Sequence, residues 1–337
     1  MSFRWVWGAA GLLALGAAGS ALAWGSSGHR MIGEAAVEAL PPELPPFLRD
    51  HASAVSVGEL SREPDRSRGA GRMHDADRDP GHFVDGDDAG KVAGTVPLDA
   101  LPPTREDYET ALRAAGADSW KMGYLPYSII GDWQQLSKDF AYWRVDAAGA
   151  EHTTDARHKA WLEADKLRRQ AQILIDIGQL SHFVGDGSMP LHVSIHYNGW
   201  GSFPNPKGYT EERVHVPWEG PYTAHAVTPD AVRAAMPPFH DCECPIEQRV
   251  GAYLMNDSRT VVPFYELEKA GAFKPGVANG VAFTTERVAA GAAELRDEIA
   301  LAWRASESGK VGYQPEISVA DVEAGKVDPY DSLYGAD

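Results

Sequence analysis

The sequence predicts an all-α protein, a single mainly helical domain with long ligand-bearing loops. Three observations predict it. Apolar residues recur at helical spacing in six separate stretches, no stretch alternates apolar and polar residues as a half-buried strand does, and the breaks are rich in Gly and Pro. With 44% hydrophobic residues the chain can bury a large core, which argues against disorder.

The elements follow in order. Residues 1–23 carry one charge, Arg4, then an apolar stretch from Trp5 to about Leu15, then small residues ending in Ala21-Leu22-Ala23. That is the order of a secretory signal peptide, so the chain is expected to be exported, to the periplasm or the extracellular space, with Trp24 first in the mature protein. Its apolar core is short for a membrane span, and no later stretch reaches the roughly 20 apolar residues a span needs.

The mature domain is expected over residues 24–305. Met31, Ile32, Ala35, Ala36 and Leu40 mark a first helix that Pro41-Pro42 ends. From Gly58 to Gly94 the chain is rich in Asp, Arg, Gly and His and reads as one long loop, a kind that is usually functional or disordered. Helices are predicted at about 105–115, at about 125–144 with Pro126 in the first turn, at 154–186, at 247–272 and at about 278–305. Residues 187–222 read as structured loop. Residues 306–337 form an acidic, weakly patterned C-terminal tail.

Charge restricts the ligands. Forty-eight acidic against 31 basic residues give −17, so a broad basic surface for polyanions is excluded, and any phosphate must be held locally by metals or a few cations. Cys242 and Cys244 are too close in sequence to staple distant segments, and CxC alone is a weak metal signal. A structural or incidental role is expected for them.

Several histidines stand where ligands would. His182 and Asp186 are four apart at the end of the strongest helix, which aims an imidazole and a carboxylate from one face. His192 follows a Gly-Asp-Gly-Ser break, and His215 and Glu219 repeat the four-residue spacing at a helix start, since Pro217 is tolerated only in a first turn. In the Gly58–Gly94 stretch, Asp65 and His82 offer ligands of the kind zinc accepts, and Arg68 could clamp a phosphate bidentately. By itself that stretch fits a calcium-binding or solvated acidic segment equally well. A cut before Trp24 would free an α-amino group five residues ahead of His29, and an amine, its own carbonyl and an imidazole can chelate a zinc ion.

Six pieces in order, Trp24-Gly-x-x-Gly-His29, Asp65-x-x-Arg68, His82-Phe-Val-Asp85, His182-Phe-Val-Gly-Asp186, Pro190-Leu-His192 and His215-x-x-Trp-Glu219, resemble the zinc-dependent S1/P1 nucleases, which share a helical fold with bacterial zinc phospholipase C. The resemblance implies three zinc ions: one held by Asp65, His82, His182 and Asp186; one by His192, His215 and Glu219; one by the Trp24 amine and carbonyl with His29 and the bridging Asp186. It implies Asp65 and Arg68 in catalysis, and Phe83 and Asp85 stacking on and hydrogen-bonding a base. The implied activity is hydrolysis of single-stranded nucleic acid or 3′-nucleotides to 5′-phosphate products by zinc-activated water, with no obligate protein partner.

The gaps from Trp24 to His29 and from His192 to His215 resemble the nuclease branch. Two departures leave alternatives open. Glu219 stands where the nucleases usually carry Asp, as phospholipases do, and Ser61-Arg62-Glu63-Pro64 replaces the usual Trp-Ala before Asp65, so Asp75, Asp77 and Asp79 are rival ligands. A phospholipase C acting on phospholipid head groups would need an apolar rim, which Trp200, Phe203 and Tyr209 could supply if exposed. A non-catalytic secreted zinc-binding protein is the third reading. His51, His74, His152, His158, His225 and His240 fall in no motif and are expected to be exposed or core residues, a bland role is also favoured for His196, and the Trp and Tyr residues of 120–143 are expected in the core.

Overall fold

A helical hairpin forms the frame: α7 (Leu125–His152) turns through three residues into α8 (Ala156–Gly187), so that the end of α8 carries His182 and Asp186 into the middle of the molecule. Pro126 sits in the first turn of α7, where its missing N–H costs nothing. Asp155 starts α8 by accepting the Arg157 and His158 amides at 2.8 and 3.4 Å. This computed structural model describes residues 24–335, and the signal peptide expected over residues 1–23 lies outside the described residues.

Before the hairpin come α1 (Gly25–Glu38), α2 (His51–Leu60), two short helices α3 (Glu63–Arg66) and α4 (Arg72–Arg78), a strand pair β1 (Lys91–Val92) and β2 (Val96–Pro97), α5 (Arg105–Ala114) and α6 (Ser119–Met122). After it come α9 (His215–Pro217), a π-helical turn over Trp218–Tyr222, α10 (Thr223–Ala226), α11 (Pro229–Ala235), α12 (Ile246–Ser258), α13 (Val261–Lys269) and α14 (Ala278–Glu307). Helices α1, α2, α7 and α14 surround α8. Their inward residues, among them Ile32, Val57, Ile129, Ile177, Leu180, Leu295 and Ile299, are fully buried in one core, each stabilising by roughly 1.5–3 kcal/mol relative to exposure. Close approach requires a small residue at Gly178, where an added Cβ would lie 2.4 Å from Leu60 Cβ of α2.

Four expectations need correction. Residues 58–94 are not one loop: α2 runs to Leu60 and α3, α4 and a 3₁₀ turn over Asp79–His82 follow. Helices α3 and α4 bury no residue, so they carry no apolar stripe to read. The predicted 247–272 helix is two, broken where Thr260 closes back on the Asp257 carbonyl.

Strands exist, but as pairs of two or three residues, too short to show alternation; besides β1 and β2, β3 (Lys310–Gly312) pairs antiparallel with β4 (Glu316–Ser318). This second pair begins the expected tail, which folds through α15 (Val319–Glu323) and α16 (Pro329–Leu333) onto α7 around Val145, Val311, Ile317, Val319 and Val322. Four widely spaced apolar residues are too few to register as a pattern.

Cys242 and Cys244 are joined in a local disulfide. Among the described residues, no helix is long and apolar enough to cross a membrane.

Candidate metal centre

The end of α8 brings His182 and Asp186 against the start of α1, which carries His29, and against the 3₁₀ turn that carries His82. His182 stacks on His29 with ring centroids 4.1 Å apart. Gly185 permits this approach, since a Cβ there would come 3.0 Å from His29 Nδ1. His182 Nε2 lies 2.9 Å from His82 Nδ1 and 3.4 Å from Asp186 Oδ2, and His82 Nδ1 lies 3.1 Å from the same oxygen. His29 Nε2 faces the other oxygen, Asp186 Oδ1, at 3.6 Å. Asp186 is fully buried, and its Oδ1 accepts no hydrogen bond from the described residues.

A second cluster lies beside it. The 3₁₀ turn after α8 supplies His192, and α9 with the π-helical turn supplies His215 and Glu219. His192 Nε2 and His215 Nε2 are 3.0 Å apart, and His215 Nε2 is 3.1 Å from Glu219 Oε2. All three are buried.

Proton positions decide what these atoms can be. His182 Nδ1 donates to the Ser61 carbonyl at 2.8 Å, His192 Nδ1 to the His82 carbonyl, and His215 Nδ1 to the Tyr197 carbonyl at 2.7 Å. A neutral imidazole with its proton on Nδ1 has only a lone pair on Nε2. In the second cluster, two such lone pairs and a carboxylate oxygen therefore converge with no proton between them. That donor set fits a divalent cation, and imidazoles oriented through main-chain carbonyls are how metal-ligating histidines are held.

The protonation energetics agree. Burial pushes His82 down to about 3, with the Arg68 guanidinium and His29 adding to it. Burial and the neighbouring imidazoles hold His182 and His192 well below the usual histidine range, so all three are in the neutral form that ligates metal. Burial drives Asp186 well above the usual carboxylate range and Asp65 up to about 6, against the pull of Arg68. Buried carboxylates resist ionisation without a cation, and a bound ion inverts that.

Three groups with metal-ligand spacing result, buried except for the half-buried Asp65: His29, His182 and Asp186; Asp65, His82 and His182; His192, His215 and Glu219. Eight of the nine sequence-predicted ligands are thus brought together, with His182 in reach of two groups. Asp65 joins, whereas its rivals do not: Asp75 pairs with His74, and Asp79 pairs with Arg68 at 3.1 Å. The ninth, Trp24, is buried but belongs to none of the three groups: its indole donates to Ser188 at 2.9 Å, its ring meets Trp218 at 5.2 Å, and its carbonyl accepts the Gly28 amide. Gly25 next to it packs against Glu219 and Gly220, which puts the start of the predicted mature chain within the same neighbourhood.

Of these groups, His82, His192 and His215 line a cavity of about 350 Å³, together with Arg68, Asp79, Phe83, Asp85, Lys121, Leu191 and Tyr197. Phe83, Asp85 and Arg68 stand at its wall, and burial pushes the Asp85 carboxyl up to about 7. Sequence reasoning missed Lys121 and Tyr197, which no motif flags. It also passed over how His196 works. That buried imidazole lies 2.8 Å from the Trp200 carbonyl and 2.9 Å from Asp88 Oδ1, it stacks on Trp200 at 3.7 Å, and its carbonyl accepts the Tyr265 hydroxyl. It fixes the loop whose next two residues, Tyr197 and Asn198, hold His215.

Of the aromatic residues expected in the core, Tyr127 is buried but Trp120 is exposed. No protein-family model, curated protein or solved structure matches the chain.

Proposed function

We propose that the protein is an exported zinc-dependent phosphodiesterase of the S1/P1 nuclease kind, acting on single-stranded nucleic acid or 3′-nucleotides. The observation that carries this reading is the close grouping of three His/Asp/Glu clusters, of which His82, His192 and His215 reach a cavity that Phe83, Asp85 and Arg68 also line. Zinc bound there supplies Lewis acidity toward phosphate oxygens and activation of water at neutral pH.

The chain's own residues do the rest. Arg68, 16% exposed and held by Asp79 and Asp65, presents a guanidinium that offsets the negative charge of the phosphate oxygens. Phe83 offers a face on which a single unpaired base stacks, and stacking suits any base. Asp85, raised by burial, is half protonated near neutrality and can donate to a base edge as well as accept from it. Water forms the new P–O bond as the bond to the 3′ oxygen breaks, leaving the phosphate on the 5′ side of a polynucleotide break or releasing it free from a 3′-nucleotide.

The phospholipase reading is less well supported. Two of the three residues of its required apolar rim, Trp200 and Tyr209, are 5% exposed, and Phe203 alone reaches solvent. Protein beginning at Trp24 and loaded with zinc, assayed side by side on single-stranded DNA and RNA, 3′-nucleotides and phosphatidylcholine, tests the proposal. Cleavage of the nucleic acid or nucleotides is expected. Hydrolysis of phosphatidylcholine alone would assign the phospholipase reading, and full zinc content with no phosphoesterase activity would assign the non-catalytic one.

A further inference from the structure

The corner between α7 and α8, at the opposite end of α8 from the buried centre, gathers a second kind of His/Asp group. His158 of α8 meets Asp328 and Asp331 of the C-terminal segment, and one ligand atom from each lies within 4.8 Å of the others. These residues, with His152 and Asp155, line a cavity of about 330 Å³. His158 was expected to be an ordinary exposed or core residue. It is instead 13% exposed and stacked on Tyr330 at 4.1 Å, which fixes its ring plane.

The two ring nitrogens of His158 differ. Nδ1 is 3.2 Å from Asp328 Oδ2, a hydrogen bond, and that oxygen also accepts the Thr153 hydroxyl at 3.3 Å. Nε2 faces two further carboxylate oxygens, Asp331 Oδ1 at 3.7 Å and Asp155 Oδ2 at 3.9 Å. Both exceed the roughly 2.7–3.2 Å of a hydrogen bond. A neutral imidazole with its proton given to Asp328 presents an Nε2 lone pair to two carboxylate oxygens, an arrangement that a cation between them satisfies. Two ligand atoms each about 2.1 Å from one zinc ion can stand up to about 4.2 Å apart, so both separations fit a shared ion. A carboxylate on the far nitrogen of the imidazole is also the usual way a metal-ligating histidine is oriented. Arg157 pairs with Asp155 at 3.2 Å rather than with Asp328 or Asp331.

We infer that His158 Nε2 and Asp331, with Asp328 orienting the imidazole and Asp155 at the rim, form a divalent-cation site separate from the buried centre. Its mixed imidazole and carboxylate ligands suit zinc or a similar transition metal. The ion fastens the C-terminal segment to the helical hairpin across 170 residues of sequence, closing a loop as a cross-link does. It is structural, since the site does not touch the cavity that holds Arg68 and Phe83.

The test compares the full mature protein with its Asp331→Asn and His158→Gln variants, using Zn²⁺ alone as the probe. Equilibrium dialysis counts zinc equivalents, and hydrogen exchange follows residues 319–335 with and without zinc. Each variant is expected to bind one equivalent fewer than the parent, and zinc is expected to slow exchange of the segment in the parent but not in the variants. Because the readout is a difference, it holds whatever number of ions the buried centre takes. Asp331 is 71% exposed, so its substitution keeps the fold if His158→Gln does not. Equal zinc counts in the parent and Asp331→Asn, or exchange of residues 319–335 in the parent that ignores zinc, would overturn the site and leave His158 an ion-paired histidine.

Discussion

His192 and His215 aim the same atom, Nε2, at each other across 3.0 Å, while each donates its Nδ1 proton to a main-chain carbonyl. Two lone pairs at that distance repel, and Glu219 adds an anion 3.1 Å from one of them. With both Nδ1 protons given to carbonyls, the set is one that a divalent cation satisfies.

Removal of metal should accordingly destabilise the protein. An ion present at 1,000 times its dissociation constant contributes about 4 kcal/mol, which for a domain of this size is a shift of roughly 6 °C in Tm. Calorimetry before and after chelation measures it, and His215→Ala should lower the Tm of the metal-loaded protein while narrowing the gap between loaded and chelated forms. An unchanged Tm on chelation would mean that the clusters hold no ion in solution.

At the Asp65, His82 and His182 group, the pH dependence of metal binding should be set by the carboxylate rather than the histidines. His82 is pushed down to about 3, and His182 and His192 also lie well below their usual range, so protons do not compete for them near neutrality. Asp65 is raised to about 6 and Asp186 is raised well above the usual value. A raised carboxyl holds its proton below its folded pKa and must lose it to ligate, so affinity should rise with pH through about 6 and continue to rise until Asp186 has ionised. Zinc titrations between pH 5 and 8 check this. A curve that levels off at pH 5 would contradict it.

Much of this centre was legible because metal ligation imposes local spacing. His182 and Asp186, and His215 and Glu219, are four apart on helical turns, and spacing of that kind survives in the sequence whatever surrounds it. The long helices were legible for the same reason: α7, α8 and α14 bury one stripe over many turns. What could not be read depends on contacts between distant segments. Helices α3 and α4 bury no residue and show no stripe, and the carbonyls of Ser61, His82 and Tyr197 that orient the histidines belong to the backbone, which every residue has. His158 gave no signal because its carboxylate partners, Asp328 and Asp331, arrive from a segment 170 residues away.

The helical hairpin carries its own pH sensitivity away from the metal. Asp146 of α7 is buried and its carboxyl is pushed up to about 8, first by burial and then by Asp165 of α8. A folded pKa above the unfolded value of about 3.9 means that the folded state keeps a proton that the unfolded state loses. Stability from this group is complete below about pH 4 and is lost as pH rises toward 8. Asp146→Asn cannot ionise, so it should be more stable than the parent at pH 8.5, on the order of 2 kcal/mol, with the advantage shrinking toward pH 5. Urea denaturation at the two pH values measures the difference, and a constant difference would refute the assignment.

His196 should act on the metal through His215 without touching either the cavity or an ion. Its ring bridges the Trp200 carbonyl and Asp88, and the two residues that follow it supply the carbonyl that accepts His215 Nδ1–H and the side chain that accepts His215 N–H. Replacing it with Ala empties a stacked position beside Trp200 and frees the loop to shift, which should weaken zinc at the His192, His215 and Glu219 group by about 10–100-fold, the usual cost of losing an outer partner of a ligating histidine. The expectation separates positioning from mere stability. In His196→Ala, saturating zinc should restore most of the proposed phosphodiesterase rate, and His196→Gln, which can still donate to Asp88, should recover part of the affinity. A variant with normal zinc affinity but a lost rate, or one that loses zinc equally from all three groups, would show that His196 does not act through His215.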